Sequence, residues 1–374
     1  MRRPQLLALV LCAAMALTAC GSGSTSGTTS STSAPSATDS QSSTQTEPTQ
    51  PSGTALVYTP HQGRLLEEWG PAFAEAYPGL SVETQRIGTT QLIGRLRAEK
   101  ANPQADVWVG GGGIVPFITL AKEGLLEPYQ PKGSEVLDTL PDSIIWHADD
   151  WSWVAPNLIA MGIVYNPNRI SKEELPKTWD DLADPKWKGR IEMWDPASSG
   201  TSAAFVVMNL ARLGEEKGWE YLKAVYQNVA RYTAEGSPAA SVARGEIDLG
   251  ITYEHTALIF RDEAQRTGGN PDNVAFYLPE KTLVMAEPMA LVKGGPNPEV
   301  GKAFMDFLMT VEGQRVLSEY GFMYPVIPGA PTPPGAFYTV EDYYQRAIEL
   351  DPEWMAANLD RALKIWKNEV ETAK

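Results

Sequence analysis

The chain has 374 residues, a formal net charge of −15 at pH 7, 43% hydrophobic residues and 11 tryptophans. That supply of apolar and aromatic side chains supports sizeable cores, and with no Lys/Arg run or basic aromatic face the acidic balance argues against a nucleic-acid partner. Beyond the N-terminal stretch, no segment approaches the ~20 consecutive apolar residues of a membrane span.

The N-terminal stretch "MRRPQLLALVLCAAMALTACGSG" opens with Arg2 and Arg3, is apolar from Leu6 to Leu17 and ends in small residues before Cys20 and Gly21. Charged, apolar and small-residue regions in that order read as a secretory signal, too short to cross a membrane. Leu17-Thr18-Ala19-Cys20 resembles the lipobox of bacterial lipoproteins, which implies that residues 1–19 are a signal peptide and that Cys20 carries lipid. Cys12 then leaves with the signal, no thiol remains for a disulfide or a metal, and the exported body depends on its core alone. Residues 20–53, nearly all Ser, Thr, Gly, Pro and Gln, cannot bury enough surface to offset their ordering entropy and read as a disordered tether.

From Thr54 onward about 320 residues remain, more than one core usually serves, so two lobes are expected. "ALVYT" predicts a strand, "GRLLEEWGPAFAEAYPG" an amphipathic helix with a Pro-Gly stop, "LSVETQRI" a strand, "TTQLIGRLRAEKAN" a helix and "ADVWVG" a strand. Further on come the strand "IAMGIVYN", a helix and turn in "TWDDLADPKWKG", the strand "RIEMW", a helix from Ser202 to Gly214 and a second helix in "GWEYLKAVYQNV". "ARYTA", "IDLGITYEH", "VAFYLP" and "MALVKG" read as strands, "SPAASVARGE" as a short helix and "NPEVGKAFMDFLMTVEGQRVLSEYG" as a long helical region. Such alternation implies parallel strands with helices on both faces.

Several motifs in one order resemble the substrate-binding proteins of bacterial ABC importers, in the extracellular family that includes ferric-ion, spermidine, phosphonate and hexose-phosphate binders. They are "VYTP", "RLRAEKANPQADVWVGGG", "AKEGLLEPY", "GIVYNPNRI", "PKTWDDLADPKWKGRIEMWDPASSGTS", "SVARGEIDLGITYEHTA" and "NPEVGKAFMDFLMTVEGQRVL". The resemblance implies an α/β, periplasmic-binding-protein-like fold: two α/β lobes with a hinge and a ligand cleft between them. It places the first part of lobe 1 at residues 54–156, mainly lobe 2 at 157–285, and a return to lobe 1 with C-terminal helices at 286–374. Crossings between lobes are expected near "APNLIAMGIVYN" and "TLVMAEPMALVKG". The implied partners are a small-molecule solute, a membrane permease and, through the lipid anchor, the outer face of the cytoplasmic membrane; the protein is expected to be a monomer without cofactor.

The turn "DPASSGTS" enters a helix, and a helix N-terminus leaves unpaired N–H groups and partial positive charge, a ready anion site. Ser198, Ser199 and Thr201 can add hydroxyl donors and Gly200 lets the backbone approach a ligand; a lone capping serine among solvated neighbours is the plainer alternative. Similar junctions place Thr89 and Thr90, the run Gly110 to Gly113 with Gly111 and Gly112 at its centre, and Ser237 beyond strand ends, where ligands of open α/β sheets bind. Thr59 and His61 end the first strand and Tyr253 and His255 end "GITYEH", so they belong to the same cleft. In hexose-phosphate binders the latter strand end carries a His-Asp pair for sugar hydroxyls; here His255 matches and Thr256 replaces the acid.

These donors favour a small phosphorylated or phosphonate solute. Ferric binders carry adjacent tyrosines at that strand end, because phenolate is a hard ligand for a hard cation, whereas this chain pairs Tyr343 with Tyr344 far from it. Polyamine binders use aromatic walls and carboxylates, for which Trp151, Trp153, Trp194, Glu254 and Glu287 are the candidates. An enzyme is not indicated: the sequence lacks Gly-x-Ser-x-Gly, a phosphate-loop Gly-x-x-x-x-Gly-Lys and His-Glu-x-x-His. A secreted carboxylate-based hydrolase is the alternative from another class.

Overall fold

A computed structural model describes residues 52–234 and 236–373. The expected signal peptide, the lipidated Cys20 and nearly all of the tether lie outside the described residues.

The chain begins with β1 (Gly53–Thr59), α1 (Leu65–Ala76), β2 (Leu80–Arg86), α2 (Thr89–Ala98), β3 (Val107–Val109), α3 (Ile114–Lys122) and β4 (Leu126–Glu127). β5 (Val154–Tyr165) follows, then β6 (Ile191–Trp194), α4 (Gly200–Leu213), α5 (Glu215–Asn228), β7 (Val229–Thr233), α6 (Pro238–Ala243), β8 (Leu249–Tyr253), α7 (Glu254–Thr267) and β9 (Ala275–Tyr277). The last part comprises β10 (Val284–Val292), α8 (Pro298–Leu308), α9 (Val311–Gly321), β11 (Tyr324–Pro325), α10 (Val340–Arg346) and α11 (Pro352–Ile365), which a wider helical turn extends to Val370.

The strand order is β2-β1-β3-β10-β5-β8-β6-β7. Parallel pairing holds within each end of this order, β1 with β2 and β3, and β6 with β7 and β8. Between them run two antiparallel strands, β5, which pairs into both ends, and β10, which pairs with β3, β4 and the first half of β5. β5 pairs with β10 from Val154 to Ala160 and with β8 and β9 from Met161 onward. All twelve residues of β5 and all nine of β10 are buried, as a strand covered on both faces must be. They are the crossings expected at "APNLIAMGIVYN" and "TLVMAEPMALVKG", and they join two α/β lobes with a cleft between them.

In the first lobe, α1 buries Leu65, Trp69 and Phe73, one apolar stripe at a spacing of four. Trp69 and Phe73 meet Phe304 of α8 edge to face at centroid distances of 5.7 and 5.4 Å. Full burial of each such side chain contributes roughly 2 kcal/mol. The second lobe is built the same way, with Trp179 and Tyr221 around Phe205 of α4.

Some elements differ from the sequence expectation. "TWDDLADPKWKG" folds as two short 3₁₀ turns, because Asp181 and Asp184 engage nearby main-chain N–H groups and compete with a helix. "MALVKG" is the second half of β10, and "NPEVGKAFMDFLMTVEGQRVLSEYG" divides at Thr310, whose hydroxyl caps α9 by accepting from Gly313 N–H. Helix α3 follows the glycine junction as that junction implied, but its bounds were not legible, because it is apolar on nearly every side.

Candidate ligand-binding cleft

A cleft of about 660 Å³ opens between the lobes at the ends of their parallel strands. The first lobe contributes His61, Thr89, Gly111 and Gly112, and the second Ser198, Ser199, Gly200, Thr201, Tyr253 and His255. Glu287, from the crossing strand β10, forms part of its wall.

The hydroxyl-rich turn owes its shape to Asp195. The Asp195 carboxylate accepts the Ala197 N–H, and its carbonyl accepts the N–H groups of Ser198 and Ser199 at 2.9 Å each and the Ser198 hydroxyl at 3.1 Å. That turn delivers Ser199 to the N-cap of α4, where it makes no capping bond. The first N–H groups of a helix have no intrahelical acceptor, so Gly200 and Thr201 bring uncapped donors to the cleft edge. Gly200 is demanded by the first lobe: a Cβ there would stand 2.7 Å from Thr89 Oγ1 and 2.8 Å from the Gly111 carbonyl.

The glycine run does something other than expected. All four residues, Gly110 to Gly113, have positive φ, which only glycine adopts without strain. The resulting nest of N–H groups is filled by the protein itself: Glu287 accepts from Gly111 N–H at 2.6 Å and from Gly113 N–H at 2.9 Å. Glu287 reaches the nest because β10 shifts register between Glu287 and Met289, at Pro288, which has no N–H for the ladder. Gly111 and Gly112 therefore line the cleft, but Gly111 N–H is not offered to a ligand. Burial pushes the Glu287 carboxyl up to about 7 against the opposing pull of those N–H groups.

The floor is made of buried neutral donors and acceptors. Burial holds His61 down to about 4 and His255 down to about 3, the latter also through His61. Their rings meet edge to face at 6.2 Å, and Tyr253 stacks on His255 at 5.6 Å. Tyr253 is raised well above its ordinary value, by burial first and then by the Glu287 charge, so it stays a protonated phenol. His61 Nε2, His255 Nδ1 and the Tyr253 hydroxyl are buried without a hydrogen-bond partner; Thr201 stands beside that hydroxyl without completing a bond of good geometry. Buried polar groups are rarely left so, and these three belong to residues that line one cleft.

Three expected residues stand back from the cleft. Thr59 is fully buried beneath it, its hydroxyl accepting the His61 N–H at 3.1 Å. Thr90 donates its hydroxyl to the Pro196 carbonyl at 3.1 Å, a bond between the lobes. Ser237 is buried at the start of α6 with its hydroxyl unpartnered, one residue beyond the lining Gly236. The aromatic and acidic set reduces to Trp194 and Glu287. Trp153 is buried, Trp151 stacks on His147 at 4.0 Å, and Glu254 accepts from Phe337 N–H, Tyr338 N–H and the Tyr343 hydroxyl. Sequence reasoning missed Arg86, Gln62 and Gln91. Arg86 ends β2 and is the one formally positive side chain among the described residues lining the cleft; the rule that ligands sit beyond strand ends would have found it.

Two α/β lobes joined by crossing strands around a polar cleft define a two-lobe binding protein. The family of bacterial extracellular solute-binding proteins matches residues 103–346. A protein of Haemophilus influenzae is 30% identical over 334 residues, 86% of this chain and 92% of its own length. Iron uptake protein A1 of Synechocystis sp. is 30% identical over 267 residues, 68% of this chain and 71% of its own. The structure of the periplasmic binding protein AfuA from Actinobacillus pleuropneumoniae, with fructose-6-phosphate bound, superposes with a TM-score of 0.74 at 28% identity and covers 86% of this chain and 99% of that one. The chain belongs to the bacterial extracellular solute-binding proteins: it is a receptor that captures a small solute for an ABC import system.

Proposed function

We propose that the solute is a small phosphorylated or phosphonate compound, held with its anionic end at the start of α4 and its remaining polar groups over His61, Tyr253, His255 and Glu287. The observation that carries this reading is the uncapped N-terminus of α4 in a cleft where Arg86 is the single cationic side chain among the described lining residues. Main-chain donors, Ser199, Thr201 and the helix dipole suit an oxyanion, and Arg86 can fork two N–H groups onto it. The floor suits hydroxyl groups, since a neutral imidazole offers one donor and one acceptor. The bound sugar phosphate named for the Actinobacillus protein supports the same class.

The body would be residues 54–156 with the returning part of 286–374 as one lobe and mainly 157–285 as the other, with the C-terminal helices added to them, a monomer tethered by lipid on Cys20 and docking on its permease when closed. Membership of the solute-binding family supports binding without catalysis. A ferric-ion reading draws on the relatives named for iron. It asks for phenolate and free carboxylate oxygens, whereas Tyr253 is held protonated and Glu287 is occupied by glycine N–H groups.

A thermal-shift screen of the protein against sugar phosphates, phosphonates, ferric ion and polyamines tests the proposal, because a ligand of the folded state alone raises the melting temperature. A rise with a phosphate ester or phosphonate that Ser199→Ala/Thr201→Ala abolishes is expected. A rise with ferric ion or a polyamine alone overturns it.

A further inference from the structure

Helix α11 lies over the joint between the lobes. It packs on α3 of the first lobe and on α4 of the second, burying Met355, Ala356, Leu359 and Ala362. Beneath it α2 and α4 approach each other, leaving a void of about 90 Å³ walled by Ile93, Val115, Ala204, Val207, Leu359 and Leu363. The joint is thus covered by α11 and is not close-packed on its own.

The attachments of α11 to the two lobes differ in kind. Toward the second lobe, the turn that extends it buries Trp366 and Val370 completely or nearly so. Trp366 meets Tyr226 and Tyr232 edge to face at 5.7 and 5.5 Å, and the Tyr226 hydroxyl donates to the Glu371 carbonyl at 3.2 Å. Toward the first lobe α11 rests on α3, with the Thr119 hydroxyl 3.5 Å from the Ala356 carbonyl, and its ion pairs are at the surface. Asp360 accepts from Arg97 at 2.9 Å, and Glu353 pairs with Lys122, both side chains of that pair 59% exposed. A buried aromatic wedge is lost only by unfolding its surroundings, whereas an exposed ion pair can break and re-form in water.

We propose that α11 is a latch that travels with the second lobe and holds the closed form through ion pairs made to the first. Opening about β5 and β10 separates α2 and α3 from α4, so Arg97–Asp360 and Lys122–Glu353 part while Trp366 keeps its seat. The closed population, and with it the affinity for any solute, is then set partly at the back of the molecule, by residues that touch no ligand. This inference does not rest on the identity of the solute.

Hydrogen exchange of the ligand-free full-length chain tests it, because exchange at the joint reports the opening equilibrium. In Glu353→Gln/Asp360→Asn, the hydrogen-bonded amides of Leu92 and Ile93 and of Ala203 and Ala204 are expected to exchange about three- to tenfold faster, the effect of two exposed ion pairs, while β1 and β8 keep wild-type protection. Glu215→Gln removes the Arg361–Glu215 pair, which ties α11 to the lobe it travels with, and is expected to leave the joint unchanged. Unchanged joint exchange in the double variant, or equal loosening by Glu215→Gln, overturns the latch.

Discussion

Tyr343 donates its hydroxyl to the Glu254 carboxylate at 2.7 Å, across 89 positions of sequence. The bond, with those from Phe337 N–H and Tyr338 N–H, fastens the returning C-terminal segment to the residue between Tyr253 and His255. Tyr343 thus holds the fold and stands outside the cleft. Tyr343→Phe leaves a buried carboxylate short of one donor and is expected to cost about 1–3 kcal/mol of stability. Urea unfolding measures the loss, and calorimetric titration with a phosphate ester is expected to show affinity within about twofold of wild type.

Gly200→Ala separates closure from folding. The added methyl meets Thr89 Oγ1 and the Gly111 carbonyl only when the lobes are together, so its overpacking penalty of about 1–3 kcal/mol falls on the closed form. Affinity for the solute is expected to drop about tenfold or more, with the melting temperature of the ligand-free protein nearly unchanged. A parallel loss of both would place the contact in the folding core.

Arg86 is exposed at the cleft rim, with its guanidinium bonded to Gln62 at 3.1 Å. Arg86→Ala is expected to weaken binding of an anionic solute about tenfold at low ionic strength, with a gap that narrows as salt screens the charge. Titrations across a salt series check this; a gap independent of salt would mean that Arg86 acts by shape.

Glu287 gives the protein a pH dependence of known sign. Its folded value of about 7 stands above the ordinary 4.5, so its contribution to stability is fully present below 4.5 and is lost as pH rises through about 7. Glu287→Gln has no such titration. Its stability relative to wild type, from urea unfolding at several pH values, is expected to rise by about 1–3 kcal/mol between pH 5 and pH 8. A constant difference would mean that the group titrates normally.

The strand-turn-helix junctions were legible because their signal is local. His61, Thr89, Ser198 to Thr201, Tyr253 and His255 each follow a strand within a few residues, and the fold brings those ends to one cleft. Glu287 in the glycine nest was not legible as such, since the two lie 176 positions apart and meet through a register shift that no periodicity announces. Nor was the place of α11: "DPEWMAANLDRALKIWKNEVETAK" reads as an amphipathic helix, and an apolar stripe says that something covers it without saying what.

Where the lobes meet around the cleft, backbone faces backbone: a Cβ on Gly88 would lie 2.5 Å from the Ser198 carbonyl, and one on Gly112 would lie 2.9 Å from that of Gly200. Few side chains interlock there, so separation withdraws few knobs from holes and resets few rotamers. The kinetic obstacle to parting is then the entry of water between two flat peptide surfaces, a far quicker event than repacking a core. Tight capture and rapid discharge make opposite demands on a clamp, and jaws of bare main chain let one molecule meet both.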